Sequence, residues 1–517
     1  MLRAVNWQIR MKWRLPWMRK QVYILLLFCL HLNGWAQDTD AFVQFSRPLN
    51  IPKSEEVLKL TLIEDSLPAV LTQYGDALLL RRFYGDFSDQ PELLFGINDR
   101  TLIGYEQRGS ELFILSRHRR DSLKDFSLLQ IRLTRDSIER IKDTHFNLAK
   151  SRETKNKNPL FFHRSPEGAY IAICQQEAFK PGKKAVVNAF IQGRDTTMHF
   201  HLPLNFDGDD AQLLGVTIDE RGTIYFGAQT GIQLNSPFRK KHLIYSFDPF
   251  EKVMVEFDMS SASFFTQDML ISAADSGVNI VSLYSVDPLI NEKSNGYSFV
   301  ATSTDGRDVH TRLGGTFSNA ALAVHNEFED ETSGYVADLF LQRVMRIGKS
   351  NYVVLEKRYH DQICTADPST GIVQCTDQYH FNGLSFENPA RPARSVTIRK
   401  RQLDYDQPGS YSGEVILSRD GFAWVFYNDH YKNDGTSADR IMNNSARSIM
   451  RFVRVDEGGK LQSGKMSAER QSDFAFTPKA GMAQNKRMAF YLLKDGDQYR
   501  IGKFDFSKLS ALSQGFN

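Results

Sequence analysis

An all-β repeat domain is the fold class this sequence predicts, on three observations: one hairpin form recurs along the chain, its corners keep a near-constant beat, and helical periodicity is almost absent. Residues 213–228 show the form most clearly, with apolar and polar side chains alternating on both sides of Asp219-Glu-Arg-Gly222. Alternation at period two marks half-buried strands, and the closing glycine of such a corner supplies positive φ. A third strand over 242–247 turns at Asp248-Pro249 into a fourth over 252–257, completing a four-stranded antiparallel sheet. Copies turn at Gly109, Gly168, Gly277 and Gly421, with weaker ones near Gly334 and Asn485. From 109 to 334 the marks fall about 55 to 60 residues apart, a period that suits sheets with generous loops. A lone four-stranded sheet has two faces to cover and two open edges, and radial packing into a closed ring hides both. The expectation is a β-propeller of about seven blades, with six or eight compatible; a pair of β-sandwiches or a β-helix is the competing architecture. Residues 136–142, the one helical candidate, read equally as an outer strand. Residues 41–45 or 57–63 are expected to close the ring against 488–493 and 499–504, and the gap from Gly334 to Gly421 is expected to hold an inserted region at about 359–401.

The first 36 residues read as a signal peptide. Arg3, Arg10, Lys12, Arg14, Arg19 and Lys20 precede an 11-residue apolar run, Val22 to Leu32, and Gly34-Trp-Ala36 is a small-x-small cleavage pattern. The run is short of the roughly 20 residues that span a bilayer, so export with cleavage near Gln37 is expected, leaving residues 37–517 as a single domain. The destination would be periplasm, outer surface or extracellular space. The chain carries 64 Lys+Arg against 61 Asp+Glu, and removing the six leader cations leaves 58 against 61, a net charge of −3. That balance argues against nucleic acid as a partner. No later apolar stretch approaches spanning length, and the mature chain is expected to be a monomer. Four of the five tryptophans leave with the leader, so only Trp424 remains.

With corners such as Asp219-Glu-Arg-Gly222 and Asp367-Pro-Ser-Thr-Gly371, the chain resembles exported bacterial β-propellers of no characterised family. The resemblance covers nearly all of the mature chain and is one of fold and turn chemistry, so it implies no activity. Ser418-Arg-Asp-Gly-Phe-Ala-Trp424 resembles the Asp-box turn of sialidase-like propellers, with one residue missing between Asp420 and Gly421; that turn is structural and implies fold, not catalysis.

Three cysteines stay in the mature chain. Cys364 and Cys375 flank a Pro-Ser-Thr-Gly turn, which predicts a disulfide across a hairpin, permitted by export. Cys174 follows the alternating stretch 170–173 and is expected as a buried small apolar residue. His199-Phe-His201 places two imidazoles on one face of a strand, and Asp207 and Asp209 follow within a few residues; these four are the candidate metal ligands, weighed against a solvent-facing strand and an acidic turn. The segment from Asn205 begins like a calcium loop, but Asp210 stands where the bend glycine belongs and Val216 where a bidentate glutamate is needed. Gly459 to Lys465 has phosphate-loop spacing in a hairpin context and reads as a turn.

The segment 427–435 concentrates polar and aromatic groups after the strand that holds Trp424. Trp424, Tyr427, Asp429, His430 and Tyr431 are therefore the candidate ligand-binding residues. Arg399-Lys-Arg401 marks a second possible docking place. No catalytic signature and no cofactor fingerprint is found. The reading is a noncatalytic propeller in the envelope or outside the cell that binds a protein or glycan partner through loops on one face. The alternative is an envelope glycan hydrolase or lyase whose carboxylates and histidines come from several blades.

Overall fold

The computed structural model describes residues 43–507 apart from short internal stretches, the longest being 149–159, 231–240, 467–473, 434–439, 328–333 and 119–124. The expected signal peptide lies outside the described residues. Among the described residues eight antiparallel sheets follow one another along the chain, with a two-stranded ladder of Lys293–Ser294 and Val336–Ala337 beside them. Seven have four strands each, over 56–96, 100–147, 160–207, 211–258, 265–316, 339–405 and 414–465. The eighth is built from both ends of the chain: Met488–Asp495 pairs with Gln498–Asp505, whose outer edge takes Val43–Phe45 and Leu49–Asn50. Ser46 fixes this closure, its N–H donating to Ile501 O and its Oγ accepting from Ile501 N.

The first strand of each sheet touches the first strand of its neighbour through most of the circuit, so these strands form the hub and the fourth strands form the rim. Between consecutive sheets lie separate apolar cores. Trp424, Phe426, Phe452 and Phe504 fill the space between the seventh and eighth sheets, and Leu60, Val70, Phe490 and Ile501 that between the eighth and first. The second strand of each sheet is buried on both faces, as in Gly277–Ser285, where all nine residues are buried. A ring of sheets leaves its inner strands no solvent face, which is why these stretches are continuously apolar where period-two alternation would leave one side polar.

Eight sheets stand where the corner marks, six glycines and Asn485, number seven. The unmarked one is the first, because its corner residue at positive φ is Glu64 (φ 50°) and not a glycine. Residues 57–63 belong to that sheet's hub strand, so the closing strand is Val43–Phe45, the other segment expected for the role. Gly334 is no hairpin corner; the sixth sheet turns at Gly348 (φ 58°), where an added Cβ would meet the Glu457 side chain. The long gap before Gly421 is taken up by the second and third strands of that sheet, Ser350–Ala366 and Val373–Glu387, which run past its body as a paired arm. Residues 138–142 are strand, within Ile138–Asn147. The helix Asn319–His325 has no counterpart in the expectation; Ser318 caps it, accepting from Ala321 N.

Candidate functional site

The two ends of the ring differ in what joins the strands. At one end the first and second strands meet in corners such as 109–110, 219–223, 348–349 and 420–421. These are closed by local bonds: Asp219 Oδ1 accepts from Arg221 N and Thr223 N, and its Oδ2 accepts from the Tyr225 hydroxyl. At the other end the connections include 148–159, 231–240, 259–264, 317–338, 431–447 and 466–474, and the arm projects from the same end. Tyr74, Val286, Ile363, Val373 and Tyr405 are exposed there. Long connections on a rigid scaffold are where binding groups concentrate.

At the loop-bearing end of the second sheet, strand termini enclose a cleft of about 220 Å³ lined by Arg100, His118, Asp125, Ser127, His145 and Asn147. Arg100 donates to Ser127 Oγ at 2.5 Å and lies 3.3 Å from Asp143, and Ser127 Oγ donates to Asp143 at 2.5 Å. Burial disfavours the Asp143 anion, but the bonds from Ser127 and Arg100 prevail and hold its carboxyl below the usual range. His145 Nε2 stands 3.7 Å from the same carboxylate. A nucleophilic serine needs a base to take its proton; here the hydroxyl gives its hydrogen bond to the Asp143 carboxylate, which also faces Arg100 and His145.

Charges at the hub neutralise one another. Lys59, Glu106 and Arg164 stand on three successive hub strands, with Arg164 Nε 3.9 Å from Glu106. Burial lowers the Lys59 ammonium against the pull of Glu106, and burial raises Glu106 against Lys59 and Arg164. The densest ionic cluster lies between the sixth and seventh sheets. Lys400 reaches both Glu356 and Glu414, Arg358 also bonds Glu356, and Gln342 donates to Glu414. The side chains of Lys400, Glu356 and Glu414 are at most 1% exposed. Burial, and then the charge of Glu414, push Glu356 up to about 7. Burial opposes ionisation of Glu414 as well, but Lys400, the hydrogen bond shared with Glu356 and the charge of Arg358 together outweigh it and keep that carboxyl low. Carboxylates from two sheets do converge here, yet they are sealed from any substrate.

The expected ligand-binding residues follow one another along a buried strand, which separates them. Trp424 is packed between the seventh and eighth sheets, its ring 5.2 Å from Phe506 and 5.9 Å from Phe452. Tyr427 faces the opposite core, against the sixth sheet. Asp429 is buried and paired with Arg451 at 2.7 Å and with Asn433 at 2.7 Å, which pins the start of the 431–447 connection. These three are held by packing and pairing, and only His430 and Tyr431, with rings 4.9 Å apart, stand at the loop-bearing end. His199 and His201 share one face of the rim strand Thr197–Asp207, with ring centroids 5.0 Å apart. The strand continues through Asp207 with a bulge between Pro203 and Asp207, so that Asp207 stands opposite Lys184 while His201 stands opposite Asn188, four residues or roughly 13 Å apart along the partner strand. The Asp207 side chain and all of Asp209 lie outside the described residues. Among the described residues no group of three or more His, Cys, Asp and Glu is placed to hold a metal ion.

Cys364 and Cys375 form the expected disulfide across the arm. Cys174 is buried, which pushes its thiol up to about 12. Arg399-Lys-Arg401 is no continuous basic patch, because strand alternation turns Lys400 inward while Arg399 faces out, 3.6 Å from Glu327. The ionic cluster around Lys400 left no mark in the sequence, since its members come from different strands and no local spacing joins them.

The ring of consecutive four-stranded sheets, closed by the first described strand, defines the chain as a β-propeller. Similar solved structures include the WD40 domain of SCAP from fission yeast, at 9% identity over 90% of this chain and 97% of that one (TM-score 0.36). An uncharacterized protein from Listeria monocytogenes is similar at 9% identity over 76% and 89% (TM-score 0.35). Prolyl oligopeptidase B from Galerina marginata is similar at 10% identity over 88% of this chain and 55% of that one (TM-score 0.38), so the chain spans about half of that enzyme. No protein-family model and no curated protein matches the sequence.

Proposed function

We propose that the chain is an exported, noncatalytic binding propeller that takes a protein partner on its loop-bearing end. The observation that carries this reading is the contrast in connections between the ends: short corners closed by their own side chains on one, where Tyr84 and Phe250 are exposed, and long connections on the other, where Tyr74, Val286 and Tyr405 are exposed. Exposed aromatic and aliphatic groups among polar loops have the chemistry of a protein interface. Export is supported by the leader-like composition of residues 1–36 and by a disulfide on an exposed hairpin, which an oxidising compartment preserves. A glycan hydrolase or lyase reading would need carboxylates open to substrate, and the pair that converges, Glu356 with Glu414, is closed off by Lys400.

The test is cross-linked capture of the partner from the envelope or culture fluid, followed by titration against two pairs of charge reversals. His145→Glu and Arg447→Glu lie at the loop-bearing end, and Arg221→Glu and Lys460→Glu at the other. The first pair is expected to weaken binding by roughly 10-fold or more and the second to leave it unchanged. Equal effects from both pairs, or turnover of a glycan substrate by the purified protein, would overturn the reading.

A further inference from the structure

The arm of the sixth sheet carries a free edge with a definite geometry. The last residue of Ser350–Ala366 that borders the hub strand is Arg358, whose N–H donates to Asp338 O at 2.9 Å. Beyond it, residues 359–366 pair only with the returning strand, in an unbroken register from Tyr359↔His380 to Ala366↔Val373. Because the Arg358 N–H points away from the returning strand, period two sends the N–H and C=O of residues 360, 362, 364 and 366 the same way. A second observation agrees: Cys364 and Cys375 stand with Cα atoms 4.0 Å apart, the close spacing of a pair that does not exchange backbone bonds. The arm thus holds a row of outward-facing donors and acceptors with no strand against it among the described residues.

Proteins ordinarily blunt such an edge with lysine, proline or a bulge. Residues 359–366 contain no Lys, Arg or Pro, and their register shows no bulge. Ile363 is 52% exposed at the middle of the row. The disulfide holds the edge in shape, so little order remains to be gained on pairing.

We infer that this edge pairs with the same edge of a second copy of the chain, antiparallel about a two-fold axis at Ile363. Of the registers that match outward groups to outward groups, this one places Ile363 opposite Ile363 in the close position, about 4.5 Å between Cα atoms, and Asp361 opposite Thr365. Centring on Gln362 sets the Asp361 carboxylate against Ile363, and centring on Cys364 gives up the Ile363 self-contact, setting Ile363 opposite Thr365. The returning strand offers a shorter free edge, since Tyr405 already pairs with Gln378. An isologous contact of one strand pair is small, so the dimer is reversible and concentration-dependent. The inference stands apart from the proposed partner site and survives or fails without it.

Light scattering of the full mature chain across a concentration series tests it, using the protein itself as the probe. The mass is expected to rise towards twice that of one chain. Gln362→Pro removes one outward N–H and none of the arm's own ladder; Ile363→Lys puts two cations face to face. Each is expected to weaken association at least roughly 10-fold, while Val373→Lys, an equally exposed apolar position on the returning strand, leaves it intact. Circular dichroism and the retained disulfide confirm that the variants fold. A single-chain mass throughout, association that survives either edge variant, or equal loss in Val373→Lys overturns the inference.

Discussion

Lys400 answers two carboxylates at once, and the pH response of the molecule should show it. Glu356 titrates near 7 in the folded chain against an ordinary value of 4.5, so between those values the folded state holds a proton that the unfolded state has released. The stability tied to Glu356 is therefore present at acid pH and lost as pH rises towards 7. Glu414 is shifted down, so its contribution is present above its ordinary value and lost on acidification. The groups facing the pair are Arg358, Arg343, Gln342 and Lys400, with the neutral His325 beyond them. Glu356→Gln keeps the shape without the titration, and thermal unfolding from pH 5 to 8 is expected to flatten in that variant relative to the parent. Lys400→Met leaves the buried Glu414 carboxylate without its cation and Glu356 with Arg358 alone, and should cost about 3–5 kcal/mol in denaturant unfolding at pH 7. Equal pH slopes in parent and Glu356→Gln would contradict this assignment. None of it was legible in the sequence, where Lys400 looked like part of a basic patch: alternation decides which of three adjacent cations points inward, and pairing across strands decides what it meets. Corners such as Asp219 to Gly222 were legible because aspartate and glycine do their work within five residues.

At the level of elements, the arm shows both kinds of information. Its disulfide was readable because two cysteines flank one turn. Its length was not, because Tyr359 to Ala366 alternate polar groups on both faces, as a strand free of any core does, and so resemble a loop. Tyr359 stacks on His380 at 4.2 Å and His360 on Tyr379 at 4.6 Å, and Asp377 accepts from Gln362. These contacts belong to the arm and not to the ring. Replacing Cys364 and Cys375 by serine is therefore expected to speed amide exchange over 359–366 while moving the main thermal transition by no more than about 2 °C. A large fall in that transition would mean that the arm is part of the cooperative core.

For the whole molecule, the repeat was legible and the eight sheets fall within the expected six to eight; the corner marks alone gave seven because Glu64 takes the positive-φ place that glycine holds at most other corners. The candidate site was legible only as a place for loops. Binding residues drawn from one segment turned out to alternate between two cores, whereas a propeller gathers its end from strand termini that are distant in sequence. The account depends on a ring closed by its two chain ends, with Gln44 directly across from Lys503. Pairing Gln44→Cys with Lys503→Cys tests that closure most directly, read as an intramolecular cross-link by mass spectrometry of the oxidised protein. The account predicts that the link forms nearly completely and raises the unfolding temperature. Free thiols at both positions in the folded protein would contradict it.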